Sequence, residues 1–207
     1  MTIPDFHTTG VENHLNKFSD KIRTEMALCG FNEVLTLTLT SIEENSLINN
    51  SMNGEAVKLG NFKSKDCEIV RTSLLPGMIK AIANNLQEKL PIKIFEVSDI
   101  VKLDDSVIGA SNKRYFSGII AANTSLLEDL QGTLTMVMKK AGIELTYLIS
   151  DKPHFISNQS ADIYIGKVLI GSIGVFNSNI VNNHFNIQYP LVGFEINLET
   201  VYDIFSN

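Results

Sequence analysis

The run Val70-Arg71-Thr72-Ser73-Leu74-Leu75-Pro76-Gly77-Met78 decides how this chain folds. Leu74, Leu75, Met78, Ile79, Ile82, Ala83 and Leu86 recur at spacings of three and four, the signature of a helix with one apolar face. Pro76 fits such a helix only in its first turn, where its missing N–H is not needed. The helix therefore starts near Ser73, and Val70-Arg71-Thr72 ends a strand. After the helix comes Lys93-Ile94-Phe95-Glu96-Val97-Ser98-Asp99-Ile100-Val101, alternating and β-branched, which predicts a strand from Ile92 to Val101.

Upstream, Leu15, Phe18, Ile22 and Met26 share one face of a helix over 14–29, while Lys17, Lys21, Arg23 and Glu25 take the other. Gly30 suits the left-handed turn that ends it. Val34 to Thr40 alternates apolar residues with Thr, a strand with one buried face. Ser41 and Glu44 form a capping box for a helix over 42–48. A polar turn over 49–54 and a strand over 55–59 follow.

Downstream, Lys113 to Asn123 reads as a strand. Ser125 with Glu128 opens a helix carrying Leu126, Leu127, Leu130, Leu134, Val137 and Met138, closed by Gly142. Strands are expected over 145–149, 160–165 and 168–176, the last two joined by a hairpin at Gly166-Lys167. A helix over 177–185, a strand over 191–197 and a final helix complete the chain. Hairpin-linked strands that outnumber helices predict an α+β fold, an antiparallel sheet flanked by helices. Residues 1–13, with Pro4 and Gly10 and no periodicity, read as a linker from an upstream region. Residues 14–207 read as one core domain.

Composition narrows the function. The 207 residues are 44% hydrophobic and 19% charged, with net charge −6 and pI near 5.2. A chain of this length buries about 70% of its unfolded surface. No basic stripe is present to neutralise phosphates, which argues against a free-standing nucleic-acid binder. No Gly-rich phosphate loop has Walker or dinucleotide spacing, and Gly166, Gly171 and Gly174 fit hairpin geometry. His7, His14, His154 and His184 are scattered, and Cys29 and Cys67 lack ligand spacing, so no metal site is expected. Buried, reduced thiols are the plain reading of the cysteines. No apolar run approaches the ~20 residues that span a bilayer. No signal peptide is seen, so the sequons at Asn49, Asn123 and Asn158 carry no weight and a cytoplasmic location is expected.

Arg71-Thr72-Ser73-Leu74-Leu75-Pro76-Gly77 and the Phe95-Glu96 strand closely resemble the core of phenylalanine–tRNA ligase β subunits, nearer to the archaeal and eukaryotic cytosolic type. Asn16 to Thr40, centred on Gly30-Phe31-Asn32-Glu33-Val34, looks like the start of that module. Phe155, Ala161, Gly166, Gly171, Gly174 and Gly193-Phe194-Glu195-Ile196 look like its end, so the resemblance covers about residues 12–205. It implies a class II aminoacyl-tRNA synthetase-like fold, catalytically degenerate, from the C-terminal part of the subunit.

On that resemblance, residues 16–40 are similar to motif 1, which builds subunit interfaces through Leu15, Phe18, Ile22, Met26, Gly30 and Phe31. Phe95 and Glu96 stand where motif 2 has Phe-Arg. Gly193, Phe194, Glu195 and Ile196 stand where motif 3 has Gly-hydrophobic-Glu-Arg. Glu96 and Ile196 would then replace two phosphate-clamping arginines, and a like charge in place of an attraction of about 4 kcal/mol forbids ATP chemistry here. No catalytic residue is expected in this domain. ATP and Mg would be used by the holoenzyme in the α subunit.

The implied role is structural: assembly with α in an (αβ)2 heterotetramer that charges tRNA with phenylalanine, tRNA being met only through the holoenzyme. A stand-alone synthetase-derived regulatory or interaction module is the other reading. Phe18, Ile22 and Met26 serve either the domain's own core or a partner. Arg71 is either a structural anchor under the sheet or a surface arginine, and Glu96 either a solvent-facing carboxylate or a specific contact. Ser157-Asn158-Gln159 and Asn177-Ser178 depart from the family's Pro-Gly-Arg and His-Pro, which weakens any carried-over tRNA or α contact along that edge.

Overall fold

In the computed structural model, residues 10–49 and 56–206 are described. A seven-stranded sheet divides the chain's apolar residues into two layers. The strands are β1 (Asn32–Glu33), β4 (Ile92–Leu103), β5 (Ala110–Ala121), β6 (Thr146–Ile149), β7 (Phe155–Ile165), β8 (Val168–Phe176) and β9 (Leu191–Asn197). Their order is β1-β4-β5-β9-β8-β7-β6. The small strands β2 (Leu39–Thr40) and β3 (Ile69–Val70) form a separate pair. The helices are α1 (His14–Leu28), α2 (Ile42–Asn49), α3 (Leu75–Ala83), α4 (Leu127–Lys140), α5 (Ser178–Phe185) and α6 (Leu198–Ser206).

Strand alternation sends successive side chains to opposite faces. Phe95, Val97, Phe116, Phe194 and Ile196 meet Phe18, Ile22 and Met26 of α1, Leu130 and Leu134 of α4, and Val201 of α6. Ile94, Ile119 and Leu191 meet Leu75, Met78, Ile79 and Ile82 of α3, with Ile48 of α2 and Val181 of α5. The class is α+β, as expected. The sheet is mixed, however, because the edge strand β1 runs parallel to β4 at Asn32–Ile94 and Glu33–Phe95.

Several local expectations change. Residues 34–40 were expected to bury their apolar side along one strand. Only Leu39–Thr40 is strand, and Leu35 and Leu37 are 79% and 78% exposed while Thr36 turns inward. Alternation fixes two faces but not which one is covered. Of the strand over 55–59, a single bridge from Lys58 to Ile69 remains; residue 55 and the turn over 50–54 lie outside the described residues. Ser125 does not cap α4: Leu126 holds that position with no side-chain bond. The Ser41 cap does form, its hydroxyl accepting the Glu44 N–H at 3.1 Å. Of the linker, residues 1–9 lie outside the described range, and Asn13 caps α1 by accepting the Leu15 N–H. Both cysteines are free but only half-buried, and burial pushes the Cys29 thiol up.

Candidate functional site

The segment 71–77 lies against the α3 face of the sheet and is held there by two strand carboxylates. Arg71 is buried, at 4% exposure, and its guanidinium donates in three directions. Nη1 meets Glu96 Oε1 at 2.9 Å, Nη2 meets Ser98 Oγ at 2.8 Å, and Nε meets the Asp99 carbonyl at 3.1 Å. Thr36 joins the cluster from the 34–40 segment: its hydroxyl accepts from Arg71 Nη1 at 2.8 Å and donates to Glu96 Oε2 at 2.7 Å. Both Glu96 oxygens are satisfied, so a fully buried charge is compensated by an ion pair and a hydroxyl rather than by water.

The backbone reinforces this: the Arg71 N–H bonds the Thr38 carbonyl, and the Val101 N–H bonds the Arg71 carbonyl. Arg71 thus stitches the 36–38 segment to β4. Thr72 donates its N–H and hydroxyl to the Asn45 side-chain oxygen, which ties the same segment to α2.

Glu195 supplies the second hold. Its Oε1 accepts the Leu74 N–H at 2.6 Å and the Ser73 hydroxyl at 3.0 Å, at the start of α3. The Leu74 N–H has no partner inside the helix, so a remote carboxyl oxygen completes it at the positive end of the helix dipole. Burial raises the Glu195 pKa, opposed by the Leu74 N–H and the Ser73 hydroxyl. Register explains why two carboxylates serve one segment: Glu96, Ser117 and Glu195 lie side by side across β4, β5 and β9, facing one way.

Leu74, Leu75, Met78 and Ile79 pack beneath the helix, and Pro76 stands in its first turn. Gly77 is needed for close approach, since a Cβ there would sit 2.7 Å from Thr36 Oγ1. The signature residues Arg71, Thr72, Leu74, Leu75, Pro76 and Gly77 therefore act as one locked segment.

The other site expectations separate. Glu96 and Ile196 lie on opposite faces: Ile196 is in register with Phe116 and packs fully buried on the side of α1, α4 and α6. The structure does not bring these two together, so they do not stand in for one pair of converging clamps. Phe95 and Phe194 are buried in that same layer, and Gly193 lies under the Phe176 ring. Phe18, Ile22, Met26 and Phe31, expected at a subunit interface, are buried in the domain's own core. Leu15 is half-buried and Gly30 exposed.

Sequence reasoning missed that Leu35 and Leu37 are exposed. They rim a groove of about 290 Å³ between the 35–40 segment and α3, with Thr36, Pro76 and Lys80 on its walls. The strict Leu-Thr alternation was the available signal, read with the wrong face inward. Among the described residues no cluster of His, Cys, Asp and Glu could hold a metal, and no helix is long and apolar enough to cross a membrane.

Known proteins match this arrangement. A family model described as phenylalanyl tRNA synthetase beta chain CLM domain matches residues 1–198. A probable phenylalanine–tRNA ligase beta subunit of Encephalitozoon cuniculi is 43% identical over 98% of this chain and 36% of its own length. The human beta subunit is 32% identical over 96% of this chain and 35% of its own, and the cytoplasmic one of Arabidopsis thaliana is 32% identical over 90% and 34%. The chain thus spans about a third of the length of these relatives. The crystal structure of pyrrolysyl-tRNA synthetase from Desulfitobacterium hafniense superposes with a TM-score of 0.74 at 16% identity, over 92% of this chain and 69% of that one, which places the fold among class II synthetases. On the extent of the match and the shared fold, this chain belongs to the phenylalanine–tRNA ligase β-subunit family, as its synthetase-like core.

Proposed function

We propose that this chain is a non-catalytic structural domain of a cytoplasmic phenylalanine–tRNA ligase, assembling with the catalytic α subunit for ATP-dependent attachment of phenylalanine to tRNA. The observation that carries this reading is the fully buried Glu96, paired with Arg71. Where the resemblance puts a phosphate-binding arginine, the sheet presents a carboxylate already committed to an internal guanidinium. Phosphoryl chemistry rests on preorganised positive charge, and the guanidinium beside this position is already committed to Glu96, Ser98 and Thr36. The same face is covered by α3 and by the turn bonded to Glu195. ATP and Mg are accordingly assigned to α, and the (αβ)2 stoichiometry rests on the family resemblance.

Exposed Leu35 and Leu37, following the edge strand β1, support an assembly role through the motif-1-like segment rather than through Phe18 and Met26. The test is co-expression with the matching α subunit, followed by light scattering. Leu35→Asp with Leu37→Asp is expected to abolish the complex while leaving the circular dichroism melt of the chain unchanged. No complex with wild-type chain would reject the assembly reading. Amino-acid-dependent ATP–pyrophosphate exchange by the chain alone would reject the non-catalytic one.

A further inference from the structure

The hairpin of β4 and β5 outruns the rest of the sheet. β9 accompanies β5 only from Tyr115 to Ala121, and the last ties to neighbours are Arg71 to Asp99 and Val101 and Glu199 to Lys113 and Arg114. Beyond them the two strands continue as an arm through the pairs Lys102–Ser111 and Leu103–Ala110.

The tip is built, not loose. The Asp104 N–H bonds the Gly109 carbonyl at 3.1 Å, the Gly109 N–H bonds the Ser106 carbonyl at 2.9 Å, and Asp104 Oδ1 accepts the Ser106 N–H at 3.0 Å. Gly109 takes the left-handed φ of 81° that closes the turn. This ordered turn displays Val107 and Ile108, at 106% and 90% exposure, with Leu103 half-exposed behind them. Turns ordinarily place polar residues at such positions. Two adjacent aliphatic side chains presented to water by a hydrogen-bonded turn are a knob without a hole, and the preformed turn lowers the ordering cost of docking.

Charge selects the hole. Asp104 and Asp105 precede the knob, and hydrogen bonds from Ser106 and Ser111 hold Asp104 below the usual carboxylate range. Lys113 acts on Asp104 as well as pairing with Glu199, and Lys102 lies over the Tyr115 ring, which leaves Asp105 as the tip's uncompensated charge. An acidic tip is repelled by a phosphate backbone or an anionic bilayer. A protein pocket with apolar walls and a Lys or Arg rim complements it.

We propose that the β4–β5 arm is a docking finger whose Val107–Ile108 tip seats in an apolar, cation-rimmed pocket of the ligase α subunit. This rests on the assembly reading above.

The experiment compares binding of purified α subunit to wild-type chain and to Val107→Asp with Ile108→Asp. Neither side chain packs against the domain, so melting is expected to be unchanged while the Kd rises about tenfold or more, as for a hot-spot contact. Asp105→Lys is expected to slow association and weaken its salt dependence. A photo-crosslinker at position 107 should mark α; marking tRNA or a second copy of the chain instead overturns the proposal. An unchanged Kd in the double variant also overturns it, yet leaves assembly through Leu35 and Leu37 standing. Failure of wild-type chain to bind α overturns both, and the two failures are told apart by that wild-type arm.

Discussion

The guanidinium of Arg71 and the carboxylate of Glu96 meet at 2.9 Å with their side chains 5% and 0% exposed. They come from segments 25 residues apart and are bridged by the Thr36 hydroxyl. The pair forms where a strand, a loop and a helix start must coincide. It fixes their mutual register at the cost of desolvating two charges, and its loss should show as instability rather than as lost chemistry.

Glu96→Ala leaves a buried guanidinium without its countercharge and should destabilise the chain by about 3–5 kcal/mol; Arg71→Met should cost a similar amount. Replacing both residues with apolar side chains of similar volume should come closer to wild type than either single change. Urea denaturation midpoints decide this. Single-variant losses under about 1 kcal/mol would mean that the pair is solvated.

Gly77→Ala should destabilise by about 1–3 kcal/mol through overpacking. The new methyl meets Thr36 Oγ1 at 2.7 Å and Cβ at 2.9 Å, so Thr36 must leave the Arg71–Glu96 cluster. Coupling is the sharper readout. In a Thr36→Ala background, which removes the hydroxyl that the new methyl meets first, the cost of Gly77→Ala should shrink, and a double-mutant cycle by thermal melting measures the difference.

How far the chain could be read shows in this same cluster. The α3 helix was legible because Pro76 marks its first turn and seven apolar residues keep helical spacing. Helix α1 and strand β9 were legible for similar local reasons. The orientation of 34–40 was not, because the Leu-Thr repeat is symmetric to a pattern reading. Thr36 turns inward because Arg71 and Glu96 need a bridging hydroxyl, and no local window contains all three. Phe18, Ile22 and Met26 were open between core and interface. Packing against Phe95, Val97 and Phe194 decides for the core, and that depends on which strands stand beneath α1. That Glu195, not Ile196, shares the face of Glu96 follows from strand parity and cross-strand register, which no single segment shows.

Glu195 should make stability fall as pH rises. Its carboxyl is raised above the ordinary 4.5, so the fold holds its proton more tightly than the unfolded chain does. That contribution is complete below the unfolded value and is lost as pH climbs through the raised one. Glu195→Gln keeps an oxygen for the Leu74 N–H and Ser73 hydroxyl and has no proton to lose. At neutral pH it should be at least as stable as wild type, whereas Glu195→Ala should lose about 1–3 kcal/mol with the helix cap. Melts from pH 4 to 8 test the sign; a wild type that gains on Glu195→Gln as pH rises would refute the assignment.

His154 should act with the opposite sign. Its ring is buried beside Phe155, 4.2 Å between centroids, and near Phe176. Burial first, and Lys152 to a lesser degree, lower its pKa to about 4, with only the Ile48 backbone opposing. The unfolded chain takes up this proton near pH 6.5 while the folded chain refuses it, so stability is whole above 6.5 and drains away toward 4. A lowering of that size corresponds to about 3 kcal/mol. Other carboxylates titrate in part of the same window, so the informative quantity is the difference between wild type and His154→Phe, which keeps the ring contacts and removes the titration. That difference should be flat above pH 7 and shift by about 3 kcal/mol in favour of the variant between pH 6.5 and 4. A difference that stays level through the window would mean that His154 is protonated, or reaches water, in the folded chain.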